Sequence, residues 1–314
     1  MTFEIRPLAV EDIPTVLPLA RACHPYRVLT EEAVRWRMTN ESDHVKDRPF
    51  IAADPRGNAV GFLRSLLSAP EGTTPRGLTF VVSIAEPYRG TDLADHLITA
   101  SEASLVEQGA RVLRTEVADE PVQAGSAPLR EVVREHGYTE EGTHHILGLD
   151  LSLLPPAPEP PAGVELRTFR DYADAPRQVY ELDRLTSADE PGPAHEEGFM
   201  SFEEWLQGPW SHPLSDLDLS LVFLHEGTPA GITCYGSDRR TRLESSMTGT
   251  LRKYRGLGLA GYAKHVALLR ARERGITHAS TGNHEANAPM LAINRRLGYT
   301  LLGEETDYIK RLDG

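Results

Sequence analysis

The residues best suited to chemistry concentrate in one stretch, Leu243-Glu244-Ser245-Ser246-Met247-Thr248-Gly249-Thr250-Leu251-Arg252-Lys253-Tyr254-Arg255-Gly256-Leu257-Gly258-Leu259-Ala260-Gly261-Tyr262. Its start can form a strand, and from Leu259 apolar residues recur at helical spacing through Leu268 and Leu269. Between them lies a turn whose glycines let the backbone approach a ligand closely. The N–H groups that open the following helix point at an anion, with the helix dipole in support. Arg252, Lys253 and Arg255 set three cations in four residues of a chain whose net charge is -13. That local reversal of sign suits a polyphosphate. A strand-turn-helix corner without a ligand uses the same residues. A dinucleotide fingerprint also fits Gly256, Gly258 and Gly261, but it needs an acidic residue closing the next strand about 20 residues on. Here that strand ends Ser280-Thr281-Gly282-Asn283, without a carboxylate.

Two other groupings could be reactive. Cys23-His24 pairs a thiol with an imidazole, yet neighbouring residues point different ways and no supporting acid is identifiable, which favours a structural use. His144-His145 falls in a terminal strand, where alternation sends one ring inward and one outward, so the pair alone makes no metal site.

A turn of this kind has to be held by strands and helices, and the composition supports them. Hydrophobic residues make up 40% and charged ones 25% of 314 residues, which excludes a largely disordered chain. Domains most often run ~100 to 150 residues, so two are expected. No apolar run approaches the ~18 residues of a spanning helix, and no membrane partner is expected. The start, Met1-Thr2-Phe3-Glu4-Ile5-Arg6-Pro7, lacks the marks of a signal peptide, and Cys23 and Cys234 cannot build a disulfide framework or a zinc site. A cytoplasmic protein without metal is the expectation. Thirty-three basic against 46 acidic residues disfavour nucleic acid as the main partner.

The chain breaks at Leu153-Leu154-Pro155-Pro156-Ala157-Pro158-Glu159-Pro160-Pro161-Ala162-Gly163, a semi-rigid spacer. The segment after the spacer echoes the segment before it. Phe3-Glu4-Ile5-Arg6 returns as Val164-Glu165-Leu166-Arg167, Gly57-Asn58-Ala59-Val60-Gly61-Phe62 as Gly227-Thr228-Pro229-Ala230-Gly231-Ile232, and His136-Gly137-Tyr138 as Leu297-Gly298-Tyr299. The shared order argues for a diverged internal duplication. Each half reads as strands and helices without strict alternation, an α/β (α+β mixed) fold rather than a regular doubly wound one. The expected domains are 1–152 and 164–314, joined by a linker at 153–163.

Arg255-Gly256-Leu257-Gly258-Leu259-Ala260 resembles the R-x-x-G-x-G/A pyrophosphate loop of the GNAT superfamily of acetyl-CoA-dependent N-acetyltransferases. Downstream, Thr281-Gly282-Asn283-His284-Glu285-Ala286-Asn287, a helix with Met290 and Asn294, and Leu297-Gly298-Tyr299 are similar to the N-x-x-A/M run ending in L-G-F/Y of GNAT domains. The resemblance covers roughly 240 to 312, extends back to 164, and has the layout of tandem GNAT proteins. The first half carries it in eroded form as Ala85-Glu86-Pro87-Tyr88-Arg89-Gly90-Thr91-Asp92-Leu93-Ala94. Asp92 stands where the second half has Gly258, Leu78 where it has Glu244, and Ser126 where it has Asn287. A Cβ and a carboxylate at Asp92 oppose a pyrophosphate, so the first domain is expected to be non-catalytic.

The resemblance implies two tandem domains, each a mixed, mostly antiparallel sheet flanked by helices. It implies that Met247, Thr248, Gly249 and Thr250 bind pantetheine through a splayed strand, and that Arg255 and the backbone of Gly256, Leu257, Gly258, Leu259, Ala260 and Gly261 hold the pyrophosphate. Asn287 would bond the pantetheine arm or cap its helix. Glu244 would be the base, with an exposed strand carboxylate as the alternative. Asn294 occupies the position of the usual acidic tyrosine and can only donate a hydrogen bond to sulfur. The proton would come from water, Tyr254 or Tyr262, or the thiolate would leave unaided. In such domains the segment after the first strand borders the acceptor, so Asp189, Glu190 and Trp205 are candidates to receive a cationic amine, against a plain solvated loop. The expected activity is transfer of an acetyl group from acetyl-CoA to a primary amine of a small molecule by direct attack in a ternary complex. A catalytically silent acyl-CoA-binding or regulatory module is the alternative. The expected assembly is a monomer with an internal pseudo-dimer, or a homodimer.

Overall fold

A computed structural model describes residues 3–40, 42, 44–70, 72–189 and 199–312. The chain divides into two compact units, residues 1–144 with 303–314, and residues 145–302. The first contains β1 (Glu4–Pro7), α1 (Ile13–Cys23), α2 (Glu31–Thr39), β2 (Val45–Asp47), β3 (Phe50–Ala53), β4 (Ala59–Ser68), β5 (Arg76–Ile84), α3 (Leu93–Glu107), β6 (Val112–Ala118), α4 (Ser126–Glu135) and the start of β7 (Thr139–Asp150). The second contains β8 (Val164–Thr168), α5 (Arg177–Ser187), α6 (Phe202–Trp205), β9 (Leu221–His225), β10 (Thr228–Ser237), β11 (Arg242–Thr250), α7 (Leu259–Glu273), β12 (His278–His284), α8 (Ala288–Arg296) and the start of β13 (Thr300–Arg311).

In the first unit the strand order is β1-β3-β4-β5-β6-β13, with β2 beside β4, and in the second it is β8-β9-β10-β11-β12. Neighbours are antiparallel except β5 with β6 and β11 with β12, which run parallel. Alternation along the strands covers both sheet faces. Val222 and Leu224 pack with α5 and α6 residues, whereas Phe223 packs with Leu259, Ala260 and Ala263 of α7. Thr30, Ser201 and Asn287 start α2, α6 and α8 by accepting from the backbone N–H three residues on, which satisfies a donor with no intrahelical partner.

The duplication is visible in the register. Arg76 pairs with Val112 through to Thr79 with Thr115, and 166 residues later Arg242 pairs with His278 through to Ser245 with Thr281. Helices α3 and α7 have the same length and the same offset.

The unit boundary departs from the expected division into 1–152 and 164–314. β7 and β13 each start in one unit and end in the other: Leu147 and Leu149 lie in the core of the second, and Tyr308 in that of the first. Segment Glu305–Arg311 pairs antiparallel with β6. Alternation of side chains reveals a strand but not its sheet partner, which is why the sequence placed the break at the prolines.

Candidate functional site

The pairing of β11 with β12 stops at Ser245–Thr281, although β11 continues to Thr250 and β12 to His284. The two parallel strands therefore fork, and the backbone of residues 246–250 has an edge that β12 does not pair. A bulge sits at the fork. Tyr235 pairs with Ser245 and Cys234 with Met247, so Ser246 is the extra residue. The bulge exchanges the faces of the residues beyond it. Leu243 packs with Ala267 and Leu268 of α7, and Ser245 Oγ accepts from Lys264 Nζ of α7 at 3.0 Å. Met247 instead packs with Val179, Tyr180 and Leu182 of α5, and a Cβ on Gly249 would meet Thr186 Cβ at 2.3 Å. By alternation Glu244 lies on the face opposite Ser245.

A cavity of about 230 Å³ fills the fork, lined by Ser245 to Thr250, Lys264, Asn283, Asn287 and Met290 among others. A second cavity, of about 650 Å³, lies between the glycine turn, α8 and the proline-rich segment. The two share Thr250, Arg255, Ala260, Pro289 and Ile293, so they adjoin at the turn. Together they form a bent cleft of the size that takes a large cofactor.

Gly256 and Gly258 have φ of +80° and +77°, a left-handed conformation that costs any other residue strain. Gly258 precedes α7 with no capping side chain, so the first N–H groups of the helix face the cleft without an internal partner. Leu257 points to solvent and offers only its backbone, whereas Leu259 is buried. Arg255 donates from Nε to Thr250 O at 3.0 Å and from a terminal nitrogen to Asp189 at 2.5 Å. Arg252 also pairs with Asp189. These hydrogen bonds, Arg252 first, hold the Asp189 carboxyl far below the usual carboxylate range. Its charge and both pairs persist down to pH values well below neutral.

Asn287 caps α8 through its carbonyl oxygen, 3.3 Å from Met290 N, which leaves its amide nitrogen for the cavity it lines. Asn294 is fully buried and donates from its amide to Asn283 Oδ1 at 2.6 Å, so Asn283 stands between it and the cavity. Glu244 is half-buried one residue before the cavity lining begins. Tyr254 and Tyr262 line the larger cavity, away from the fork. The suggested amine-receiving group does not assemble. Asp189 is spent on the loop arginines, Trp205 is buried among aromatic rings with its indole donating to Asp183 at 2.8 Å, and Glu190 lies outside the described residues. Loop charges attract one another when a turn brings them together, and spacing along the chain does not reveal that.

No family model matches the chain. A mycothiol acetyltransferase of Acidothermus cellulolyticus is 28% identical over 236 residues, 71% of this chain and 68% of the relative. Among solved structures, a tandem GNAT protein from the clavulanic acid biosynthesis pathway, determined without AcCoA, matches with a TM-score of 0.74 at 19% identity, over 100% of this chain and 99% of that one. This chain has the tandem GNAT fold. A GCN5-related N-acetyltransferase from Sphaerobacter thermophilus matches with a TM-score of 0.73 at 19% identity, covering 99% and 96%.

The other GNAT copy has its own fork, between β5 and β6, and protein side chains fill it. Gln123, 3% exposed, donates to Val82 O at 3.0 Å and accepts from Ala118 N at 2.9 Å, so one amide side chain bridges both strands. The His24 ring lies 3.2 Å from the same carbonyl, and burial lowers its pKa to about 3, so it is neutral. Cys23 Sγ lies 3.5 Å from Ile84 O. Arg89 donates to Ile84 O as Arg255 does to Thr250 O, and its stem packs against Gly125. Asp92 is right-handed (φ -69°) where Gly258 is left-handed, so the turn itself has a different shape. His144 contacts Asp307 at 3.2 Å, and no group of three potential metal ligands exists among the described residues. No described helix is long and apolar enough to cross a membrane.

Two charged residues on helices of the second unit, Lys264 buried and Asp183 half-buried, escaped the sequence reading. Lys264 interrupts the apolar face of α7, and Asp183 lies on the inner face of α5, its carboxyl pushed up by burial. Each broke an otherwise apolar helical stripe, the available signal.

Proposed function

We propose that the second unit is an acetyl-CoA-dependent N-acetyltransferase acting on a primary amine of a small molecule, and that the first unit is non-catalytic. The observation that carries this reading is the open fork continuous with the glycine turn. A pantetheine arm has two amides to pair, and residues 246–250 offer an unpaired strand edge along a cavity of about 230 Å³. The pyrophosphate would rest on the first turn of α7 beside Arg255, and the nucleotide would lie in the larger cavity, with Arg296 at its wall. The relative's name, mycothiol acetyltransferase, supports acetyl transfer as the chemistry.

In the proposed reaction the amine nitrogen attacks the thioester carbonyl directly, with Glu244 taking the ammonium proton from the α5 face. Backbone N–H groups of the forked strand polarise the carbonyl, whose developing charge is greatest in the transition state. No acyl-enzyme is needed. Cys23 and Cys234 are free thiols, the state a reducing cytoplasm maintains, and both are held protonated by burial.

Thiol release on mixing the protein with acetyl-CoA and a panel of primary amines tests the activity, and its absence with every amine counts against it. Calorimetric titration with coenzyme A is expected to give one site per chain, because Gln123 and His24 occupy the other fork. Two equivalent sites would overturn the assignment of the first unit. Asn294 favours a second reading, a silent acyl-CoA-binding module, because it stands in the tyrosine position with its amide engaged and has no proton to give. Binding without thiol release would support that module.

Asp189 competes with the cofactor phosphates for the loop arginines. Asp189→Asn is therefore expected to lower the KM for acetyl-CoA about two- to fivefold, the range of an exposed ion pair. The gain should shrink as salt is added. An unchanged KM at low salt would show that the clamp does not compete.

A further inference from the structure

Lys264 lies in the middle of α7 and is 1% exposed, with the core residues Ala263, Ala267 and Leu268 beside it on the helix. Its ammonium has one hydrogen bond among those described, to the neutral Ser245 Oγ, and it faces the cavity in the fork. A buried charge without a carboxylate partner opposes folding, so packing gives no reason to keep it. The duplicated copy shows that the helix does without one. At the same offset of 166, α3 carries Ile98, 2% exposed, in a helix of equal length. Glu244 is matched by Leu78 at that offset. Both charges are thus absent from the copy whose fork Gln123 and His24 fill, and both are present where the fork is open.

The two charges also lie on opposite faces of β11. Glu244 lies on the α5 face and Lys264 on the α7 face, the side that also carries the glycine turn. We propose that Lys264, acting through Ser245, supplies the proton taken up by the departing coenzyme A thiolate. The inference rests on the reading of this unit as an acetyl-CoA-dependent transferase, and it fills the role that Asn294 cannot. As the amine nitrogen bonds to the carbonyl carbon, the C–S bond breaks and its electron pair stays on sulfur. The Ser245 hydroxyl gives its proton to sulfur and takes one from the Lys264 ammonium. Lys264 is left neutral and regains a proton from solvent, while Glu244 holds the proton lost by the amine. Burial lowers the Lys264 pKa to about 7, so the group can both hold and give up a proton near neutrality. The other titratable groups nearby do not substitute for it. The Tyr235 hydroxyl on β10 has no hydrogen-bond partner among the described residues and burial raises its pKa, so it gives up its proton less readily than Lys264, and Asp189 and Arg255 elsewhere in the cavity pair with each other.

The test compares wild type with Lys264→Met, and with Lys264→Ile, the counterpart of Ile98 in α3, should the first fail to fold. The expected result is a folded protein that binds acetyl-CoA with unchanged Kd, loses about 10²-fold or more in kcat, and loses the limb of the kcat–pH profile that falls above neutral. An independent readout is the ultraviolet thiolate absorbance of bound coenzyme A. At or below pH 7, where Lys264 is still charged, wild type should hold more thiolate than the variant, because only wild type then sets a cation near the sulfur. A variant with wild-type kcat and pH profile overturns the proposal, as does a loss confined to Kd or KM. Wild-type protein that binds coenzyme A without releasing thiol from acetyl-CoA overturns the transferase reading and Lys264's role together. No binding at all overturns the cofactor assignment itself.

Discussion

Glu244→Gln is expected to lower kcat for amine acetylation about 10²- to 10³-fold and to leave the Kd for acetyl-CoA unchanged. Glu244 sits in register with Gly236 on β10 and Ser280 on β12, one residue before the fork. It is half-buried, and among the described residues no ion pair engages it, so its carboxylate is available to a proton from the acceptor side. Glutamine preserves the shape and removes the basicity. Because the proposed cofactor contacts come from residues 246–250 and the glycine turn, the substitution should separate chemistry from binding. Steady-state kinetics alongside calorimetry decides the matter. A variant with wild-type kcat would move the base elsewhere, and Asp183 is the next carboxylate on the α5 face, with its proton affinity already raised by burial.

Gly258→Asp is expected to weaken acetyl-CoA binding about 10⁴-fold. It recreates in the second unit the residue that the first carries as Asp92. Two effects combine. A side chain at φ +77° costs about 1–2 kcal/mol of backbone strain. A Cβ there would lie 3.8 Å from Pro161 Cγ, so the carboxylate would project into the larger cavity, where a charge near pyrophosphate repels it by about 4 kcal/mol at an effective dielectric of 20. Gly258→Ala keeps the strain without the charge and should lose no more than about thirtyfold. If Gly258→Asp binds acetyl-CoA like wild type, the glycine turn is not the pyrophosphate site.

The glycine turn was legible because it depends on residue type at fixed spacing. Glycine alone takes the left-handed φ at 256 and 258 without strain, and a helix must follow to present its N–H groups. The forked strand was legible through the same motif. The roles of Asp189 and Trp205 were not. Both were read as candidates to receive a cationic amine, against a plain solvated loop, yet Asp189 reaches the loop arginines 63 and 66 positions on, and Trp205 finds a hydrogen-bond partner in Asp183, 22 positions earlier. Such pairings depend on where helices pack, information that local sequence does not contain. Asn294 shows a finer limit. Its position matched the motif, but the neighbour that takes its amide, Asn283, comes from the preceding strand.

By itself the sequence determined that two related copies of one strand-and-helix unit lie in tandem, and that the second has a glycine turn before its long helix where the first has Asp92. Residue chemistry and spacing suffice for both. The tertiary structure decided the rest. It set where the units divide, because β7 and β13 cross from one to the other and alternation cannot name a strand's partner. It also showed what the first copy has at its fork besides Asp92: Gln123 bridges Val82 of β5 and Ala118 of β6, and the His24 ring, just after α1, reaches the same Val82 carbonyl. It also brought Lys264 beside Ser245, an encounter between a helix and a strand bulge 19 residues apart. Whether a buried charge is a packing residue or part of a reaction depends on what it faces, and only the folded chain defines that.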